Sequence, residues 1–267
     1  MAEQKKQPCP DCKTDVSRRE FVAAMGGAAA IAGGLPLLSS AAPTTSSAAE
    51  TAAKALYESL TEDQRGQTCM DWSDGRRTNI SPNWHITKAN VGTFTKKQQG
   101  IIHEVVKGVC SEDGYPLFLK QMKADNGGIE RYSVALCGKP GDKQFSFILT
   151  GRHLTLRADG NTTEGAAFGG PIVYGHGQSD PTKNYFFNQT QQANKLFQAL
   201  DEKQRKIALL AKAPKETAVR LRADGAKLPG IPGADLSDDQ KELFKKTLAE
   251  IMAPYRKEDV DEALKVV

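Results

Sequence analysis

The chain has 267 residues and a formal net charge of +4, with 36 basic and 32 acidic side chains. The two signs are interspersed, as in residues 237–246, and no run of Lys and Arg is long enough to follow a phosphate backbone. This composition argues against nucleic acid as a partner and favours a solvated surface of mixed charge. The length is typical of one large domain or two small ones.

The first 42 residues have the pattern of a twin-arginine signal peptide. Arg18 and Arg19 lie in the segment Ser-Arg-Arg-Glu-Phe-Val at 17–22, and a stretch rich in Gly and Ala follows over 23–38. That stretch is short and weakly apolar, whereas a membrane-spanning helix needs roughly 20 strongly apolar residues. Small residues on its C-terminal side suit a signal peptidase, so we expect a cleaved signal rather than an anchor.

The expected organisation is a signal peptide over 1–42, a linker and helix start over 43–55, and a single domain over 56–267. The twin-arginine translocation machinery would be a transient partner, because this route carries proteins that are already folded. We expect the mature protein to be periplasmic or secreted, with no stable membrane span. The route defines a compartment and leaves the reaction open.

Four short motifs predict the starts of helices. Each places a Gln three residues after a Ser, Thr or Asp, which is the pattern of a capping box. They occupy 61–64, 95–98, 201–204 and 237–240. We interpret them as four separate helix starts and not as a repeat, because their separations are irregular. Further helices are predicted over 48–60, 116–124, 190–200 and 257–266.

The middle of the chain predicts antiparallel strands. Residues 131–137 form a first candidate strand, which ends at a Gly-Lys-Pro-Gly-Asp turn over 138–142. Over 145–149 apolar residues alternate with others, the period of a half-buried strand. Residues 168–174 are predicted as another strand. We therefore expect an α+β fold with central antiparallel strands over about 131–174, flanked by N- and C-terminal helices.

Gly151 interrupts the alternation. The preceding phenylalanines occupy odd positions, whereas Leu154 and Leu156 occupy even ones. A β-bulge at Gly151 would insert one residue and return both leucines to the buried face. His153 and Arg157 would then share the opposite, polar face, where a ligand can reach the imidazole.

His153 and His176 are the candidate catalytic residues. His176 lies between two glycines, which permit close backbone approach. Three interpretations of the pair stay open: ligands of a transition metal ion, parts of another substrate site, or structural residues with ordinary hydrogen bonds. His103 and Glu104 begin a sequence like H-E-x-x-H, but Lys107 stands in place of the second histidine and the zinc-protease motif fails. The sequence contains no nucleophile elbow, Walker loop or dinucleotide fingerprint.

The five cysteines divide unevenly. Cys9 and Cys12 form a C-x-x-C ahead of the arginine pair, but a zinc site needs two further ligands at suitable spacing. The other three, Cys69, Cys110 and Cys137, allow at most one intramolecular disulfide. Cys110 and Cys137 fall in apolar stretches, so we interpret them as small buried side chains rather than nucleophiles.

Several loose motifs follow one another along the chain in a specific order. They are Asp74-x-x-Arg77, Trp84, Tyr132, Gly138-x-Pro140, Phe145-x-Phe147, Gly-Arg-His-Leu-Thr-Leu at 151–156, Phe168-x-Gly170, Leu200-x-x-x-Gln204-Arg205, Gly230-Ile231 and Leu236-x-x-x-Gln240. In this order the chain resembles an uncharacterised family of mostly bacterial proteins, the DUF 3500 type, over most of 56–256. That family usually has a first histidine where this chain has Arg152, so one presumed metal ligand is absent and His153 is retained. The resemblance implies export and one domain, and it brings no established reaction.

The leading hypothesis is an exported ligand- or metal-binding, enzyme-like domain with its site on the polar face of the central strands. His153 and His176 would act as acid, base or metal ligands, and arginine would hold a small anionic group. The candidate binding residues are Arg152, Arg77, Asp74 and Trp84. The alternative is a non-catalytic envelope protein that binds a partner or scaffold. A metal-storage or metal-delivery role is a third hypothesis, which the lack of ligand-type clusters disfavours.

Overall fold

The computed structural model of the protein describes residues 48–79, 81–142, 144–159, 179–212 and 229–264. All of them belong to the compact unit that runs from Ser40 to the end of the chain. The predicted signal peptide over 1–42, the predicted strand over 168–174 and the candidate residue His176 lie outside these ranges. Within them the chain forms eight α-helices and one four-stranded sheet, so the predicted α+β class is confirmed.

The helices lie on both sides of the strands in the chain order. They are α1 (Ala48–Ser59), α2 (Glu62–Thr68), α3 (Lys96–Val109), α4 (Gly114–Asn126), α5 (Phe187–Ala199), α6 (Glu202–Ala208), α7 (Asp238–Met252) and α8 (Lys257–Leu264). All four predicted capping boxes are present, at the starts of α2, α3, α6 and α7. In each, the N-cap side chain accepts from the backbone of the Gln, whose own side chain accepts from the N-cap backbone.

The sheet has the strand order β1-β2-β3-β4, formed by Cys69–Met70, Ser133–Gly138, Phe145–Gly151 and Leu154–Asp159. Strands β2, β3 and β4 are antiparallel, as expected. Strand β1 pairs with β2 in the parallel direction and makes the sheet mixed. A strand of two residues is too short to show a period, and for this reason the sequence did not reveal it.

Arg152 and His153 form a two-residue turn between β3 and β4, and the predicted bulge at Gly151 is wrong. Gly151 pairs with Leu154, and the pairing continues without interruption from there to Ser146 and Asp159. Paired residues of an antiparallel ladder point to the same side of the sheet. The chain reversal in the turn therefore places Leu154 and Leu156 on the same side of the sheet as the phenylalanines. The side predicted for the leucines is correct, although a hairpin and not a bulge produces it.

The two faces of the sheet have different neighbours. Phenylalanines of β3 and leucines of β4 join one large core with the buried faces of α1 and α3. The opposite face carries Ile148 and the buried hydroxyls of Ser133 and Thr150. The segment 81–91 crosses that face, and the backbone N–H of Ile86 donates to Ser133 Oγ at 3.0 Å and to Thr150 Oγ1 at 2.9 Å. The two hydroxyls also bond each other at 2.8 Å, so the segment adds an N–H donor to a buried polar pair and satisfies that N–H.

The four capped helices form two pairs, and the same side-chain contact joins the helices of each pair. The sequence did not reveal this pairing, because the separations between the four motifs are irregular. Gln64 and Gln98 exchange two side-chain amide hydrogen bonds across 34 residues of sequence. Gln204 and Gln240 do the same across 36 residues. We call each reciprocal pair an amide clasp. In each clasp the second Gln also donates to the last carbonyl of the preceding long helix, at Ser59 O or Ala199 O, in both cases at 2.9 Å.

The long helices beside the two clasps differ in what they cover. Helices α1 and α3 bury apolar residues against the sheet, and Gly108 allows α3 to approach α1 because an added Cβ would meet the backbone of Ala49. Helix α5 has no buried residue, and only Gln240 and Thr247 are buried in α7. None of the helices in the described part of the chain is both long and apolar enough to cross a membrane.

Candidate functional site

His153 lies in the turn of the β3–β4 hairpin in the left-handed region, with φ of 60°. Among the described residues it is the only one other than glycine with positive φ. This conformation costs an L-residue on the order of 1 kcal/mol or more, and histidine tolerates it better than most residues. Such strain persists only where the surrounding contacts hold it, and it concentrates at functional sites.

Backbone contacts hold the turn from three sides. The N–H of His153 donates to the carbonyl of Pro82, and Asn83 forms a β-bridge with Arg152. The hydroxyl of Tyr132 donates to the carbonyl of Arg152 at 2.8 Å. Burial, and next the charge of a nearby carboxylate, raise the pKa of the Tyr132 phenol, which therefore stays a neutral donor.

The side chain of His153 is aimed at the C-terminal turn of α4. Its Nδ1 lies 3.0 Å from Oδ2 of Asp125, and the two side chains are 17% and 6% exposed. Gln121, one turn earlier on the helix, donates to the same Oδ2 from Nε2 at 3.1 Å. A carboxylate on Nδ1 selects the tautomer that carries its proton there and leaves Nε2 free to accept. Nε2 has no hydrogen-bond partner in the part of the chain that the structure describes.

Gly151 and Tyr132 form the floor under this turn. The ring of Tyr132 is fully buried and stacks so closely on Gly151 that a Cβ there would overlap it. The need for glycine is therefore a close approach of a ring, since Gly151 has no positive φ. The contact positions the strand end from which Arg152 and His153 project.

Trp84 links the crossing segment to β4. Its Nε1 donates to Thr155 Oγ1 at 2.9 Å, and that hydroxyl donates to Ser81 O at 2.8 Å. The indole nitrogen is therefore satisfied within the protein. Trp84 positions the segment beside the His153 turn, and its donor is not available to a ligand.

Arg77 and Asp74 lie at the other end of the hairpin from His153. The Nε of Arg77 donates to Trp72 O at 2.8 Å, and Trp72 follows Met70, whose row across the sheet continues through Cys137 and Ser146 to Asp159. His153 follows the opposite, Gly151–Leu154 end. The two ends are five residue steps apart in the ladder, or about 17 Å at ~3.3 Å per residue. The structure therefore does not bring Arg77 together with His153.

Asp74 is occupied by a neighbour. It caps a 3₁₀ turn, Gly75–Thr78, and forms a two-pronged ion pair with Arg76, with Oδ2 2.6 Å from Nη2. Hydrogen bonds from Arg76 lower the pKa of the Asp74 carboxyl to about 2. Arg152, by contrast, is exposed and precedes His153 in the turn.

The profile of a family described as "Protein of unknown function (DUF3500)" matches residues 42–267, which include every described residue. The chain belongs to this family. No curated protein and no protein of solved structure matches it. Within the DUF3500 region, the Gly-Arg-His-Leu-Thr-Leu motif is now seen to form the end of β3, the turn and the start of β4. The glycine of the motif is required by the close packing of Tyr132, whereas the histidine occupies the turn with positive φ.

Two residues of the candidate site were missed from the sequence. Asp125 and Gln121 lie on a helix, and Asp125 is 28 positions away from the imidazole it contacts. No spacing signal joins a helix end to a strand turn over that distance. A Gly-Gly pair after α4 marks only the helix end, where Gly127 adopts φ of 84°.

The other titratable residues singled out in this DUF3500 chain have contacts or burial of their own. His103 Nδ1 lies 2.8 Å from Tyr115 Oη. Cys69, Cys110 and Cys137 are free thiols, and burial raises the pKa of Cys110 and of Cys137 to about 12. Among the described residues no group of three or more His, Cys, Asp or Glu could hold a metal ion. The proposed partnership of His153 with His176 extends outside the described ranges.

Proposed function

We propose that this chain is an exported, enzyme-like ligand-binding domain in which His153 acts as the acid, base or ligand-contacting group. The observation that carries the proposal is the His153–Asp125 pair at 3.0 Å in a turn with left-handed backbone. A carboxylate that holds one imidazole nitrogen and leaves the other free is the arrangement that general acid–base catalysis uses.

The substrate class that suits this end of the hairpin is a small anionic molecule. Arg152 is exposed beside His153, and no carboxylate pairs with its guanidinium among the described residues. A planar guanidinium binds carboxylate or phosphate through two parallel hydrogen bonds. His153 Nε2 would then exchange a proton with a group on the anion held by Arg152. The proposal also includes His176 as a second histidine of the site, and a transition metal ion that the two histidines would bind.

The test is ligand-induced stabilisation of the purified protein against a set of small carboxylic acids, small phosphoric acids and Zn²⁺. The variants are His153→Asn, which suits a left-handed residue, and His85→Asn, an exposed histidine in the crossing segment. A compound that raises the Tm of the wild type and of His85→Asn, but not of His153→Asn, supports the proposal. Equal stabilisation of all three proteins by every active compound would contradict it. No stabilisation at all would favour the non-catalytic envelope protein.

Elemental analysis of the protein purified from its native compartment distinguishes a metal-dependent site from a metal-free one. A stoichiometric transition metal that is lost in His153→Asn would identify His153 as a ligand.

The export part of the proposal is tested by the double substitution Arg18→Lys and Arg19→Lys in the full chain. We expect the wild type in the periplasmic or secreted fraction and the variant in the cytoplasm. Equal export of both would refute the twin-arginine route.

A further inference from the structure

Helix α6 ends in a group of exposed apolar side chains. Ile207, Leu209 and Leu210 are 48%, 67% and 50% exposed. In the described part of the chain, Tyr185 is the one other large apolar residue with comparable exposure. Single exposed leucines are ordinary on protein surfaces, whereas three large aliphatic side chains within four residues are not scattered singly. Such groups mark places where a protein or a membrane is bound.

The first clasp shows how the same place in the fold is used when it is covered. Gln204 corresponds to Gln64 in the clasps, so the residues 209–210 correspond to Cys69–Met70. Both helices end in extended backbone, and the N–H after each helix donates to the carbonyl of an arginine four residues earlier. Cys69–Met70 then forms β1 and is half-buried against β2. The corresponding leucines form no strand in the described ranges and stay exposed, so their size does not serve a core.

Basic side chains accompany this apolar group. Residues 201–212 contain four basic and two acidic side chains. The two acids are engaged, one as the N-cap of α6 and the other with Lys206 at 2.7 Å. Lys203 and Lys212 are exposed and have no ion pair in the ranges that the structure describes. Lys203 lies four residues before Ile207 and therefore on the same face of the helix.

We propose that the residues 203–212 form a peripheral binding patch for a membrane surface that contains anionic phospholipid. Lysine is depleted in protein–protein interfaces, whereas lysines beside exposed aliphatic side chains are typical of segments that lie in the membrane interface. The leucines would enter the boundary between headgroups and acyl chains, and the free lysines would contact lipid phosphates. The patch lies outside the hairpin turn, so this inference does not depend on the role proposed for His153.

The two parts of the patch contribute in different ways. Burial of the aliphatic side chains is insensitive to salt, whereas the attraction of lysine to an anionic surface falls off within a Debye length. Each part alone gives only weak binding, and stable association needs both. Binding should therefore require anionic lipid, weaken as the salt concentration rises, and depend on both kinds of side chain.

Co-sedimentation with lipid vesicles tests the patch. The vesicles consist of phosphatidylcholine alone or of equal amounts of phosphatidylcholine and phosphatidylglycerol. The protein is purified from its native compartment, and every variant carries the same N-terminus as the wild type. Differences in binding between the proteins therefore arise from the substituted residues.

The apolar part is tested by Leu209→Ser with Leu210→Ser. Its control is Tyr185→Ser, which removes an exposed apolar side chain outside the patch. We expect the wild type to bind the mixed vesicles, the leucine variant to bind at least ten-fold more weakly, and the control to bind like the wild type. Circular dichroism shows that each variant is folded.

The basic part is tested independently by Lys203→Gln with Lys212→Gln. Its control is Lys97→Gln with Lys107→Gln, two exposed lysines of α3 whose loss changes the net charge by the same amount. The patch variant should bind the mixed vesicles roughly ten-fold more weakly and show a smaller salt dependence, whereas the control should bind like the wild type.

Three results would overturn the inference. The first is no binding of the wild type to the mixed vesicles, or equal binding to both kinds of vesicle. The second is the same loss of binding in a patch variant and its control. The third is a wild-type dimer in analytical ultracentrifugation that the leucine variant abolishes, without vesicle binding, because that result would assign the patch to a second copy of the chain.

Discussion

Gln64 and Gln98 face each other as a reciprocal amide pair, with donor–acceptor distances of 3.1 and 2.9 Å. Each of these side chains also closes the capping box of its own helix. Gln98 additionally binds the last carbonyl of α1. One buried amide thus joins the end of one helix to the starts of two others.

Replacement of Gln98 by Ala should lower the free energy of unfolding by about 1–3 kcal/mol, because several backbone groups lose a partner in a buried position. Chemical denaturation measures the change. A double-mutant cycle with Gln64→Ala should give a coupling energy of about 1 kcal/mol. The control is Gln67→Ala, an exposed residue of the same helix as Gln64. Additive effects in the cycle would show that the clasp is only a coincidence of two caps.

Gly151→Ala should destabilise the protein by about 1–3 kcal/mol, since the new methyl group has to displace the buried ring of Tyr132. The matched control is Gly100→Ala in the interior of α3, where nothing lies within 4 Å of an added Cβ. That change should stabilise the protein by up to ~1 kcal/mol through helix propensity. Equal effects of the two substitutions on the denaturation midpoint would contradict the packing of Tyr132 on Gly151.

The backbone of His153 can be tested separately from its side chain. His153→Gly and His153→Ala both remove the imidazole and its contact with Asp125, but only Ala keeps the cost of positive φ. The Gly variant should therefore be the more stable of the two by about 1 kcal/mol. Denaturation of both proteins under one condition measures the difference. An Ala variant as stable as the Gly variant would mean that the turn relaxes to negative φ.

Thiol reactivity should follow burial. With a pKa of about 12, only about one in ten thousand molecules of Cys110 or Cys137 is a thiolate at pH 8. Cys69 is half-buried, and burial raises its pKa as well, but it is more accessible. Iodoacetamide should therefore label Cys69 first in the native protein, and the labelling rate of the other two should rise as the pH rises. Mass-spectrometric peptide mapping distinguishes the sites, and fast labelling of Cys137 at pH 8 would contradict its burial.

Local features of the chain were predictable because their hydrogen bonds close within a few residues. The helix starts at Thr61 and Thr95 follow from motifs four residues long, and the alternation over 145–149 follows from the two-residue period of a strand. The same local patterns led us to predict a bulge at Gly151 where the structure has a hairpin. Both features move the buried apolar residues from odd to even positions, so the alternation alone does not distinguish them. Local patterns thus identify the faces of a strand but not the path between two strands.

The amino-acid sequence by itself determined the helix starts, the apolar faces and the α+β class, because caps and periodicity depend on neighbours along the chain. Only the tertiary structure decided which distant groups meet: Asp125 with His153, Gln64 with Gln98, and Trp84 with Thr155. These contacts depend on how the helices and the crossing segment pack on the sheet. No residue spacing in the chain encodes that packing locally.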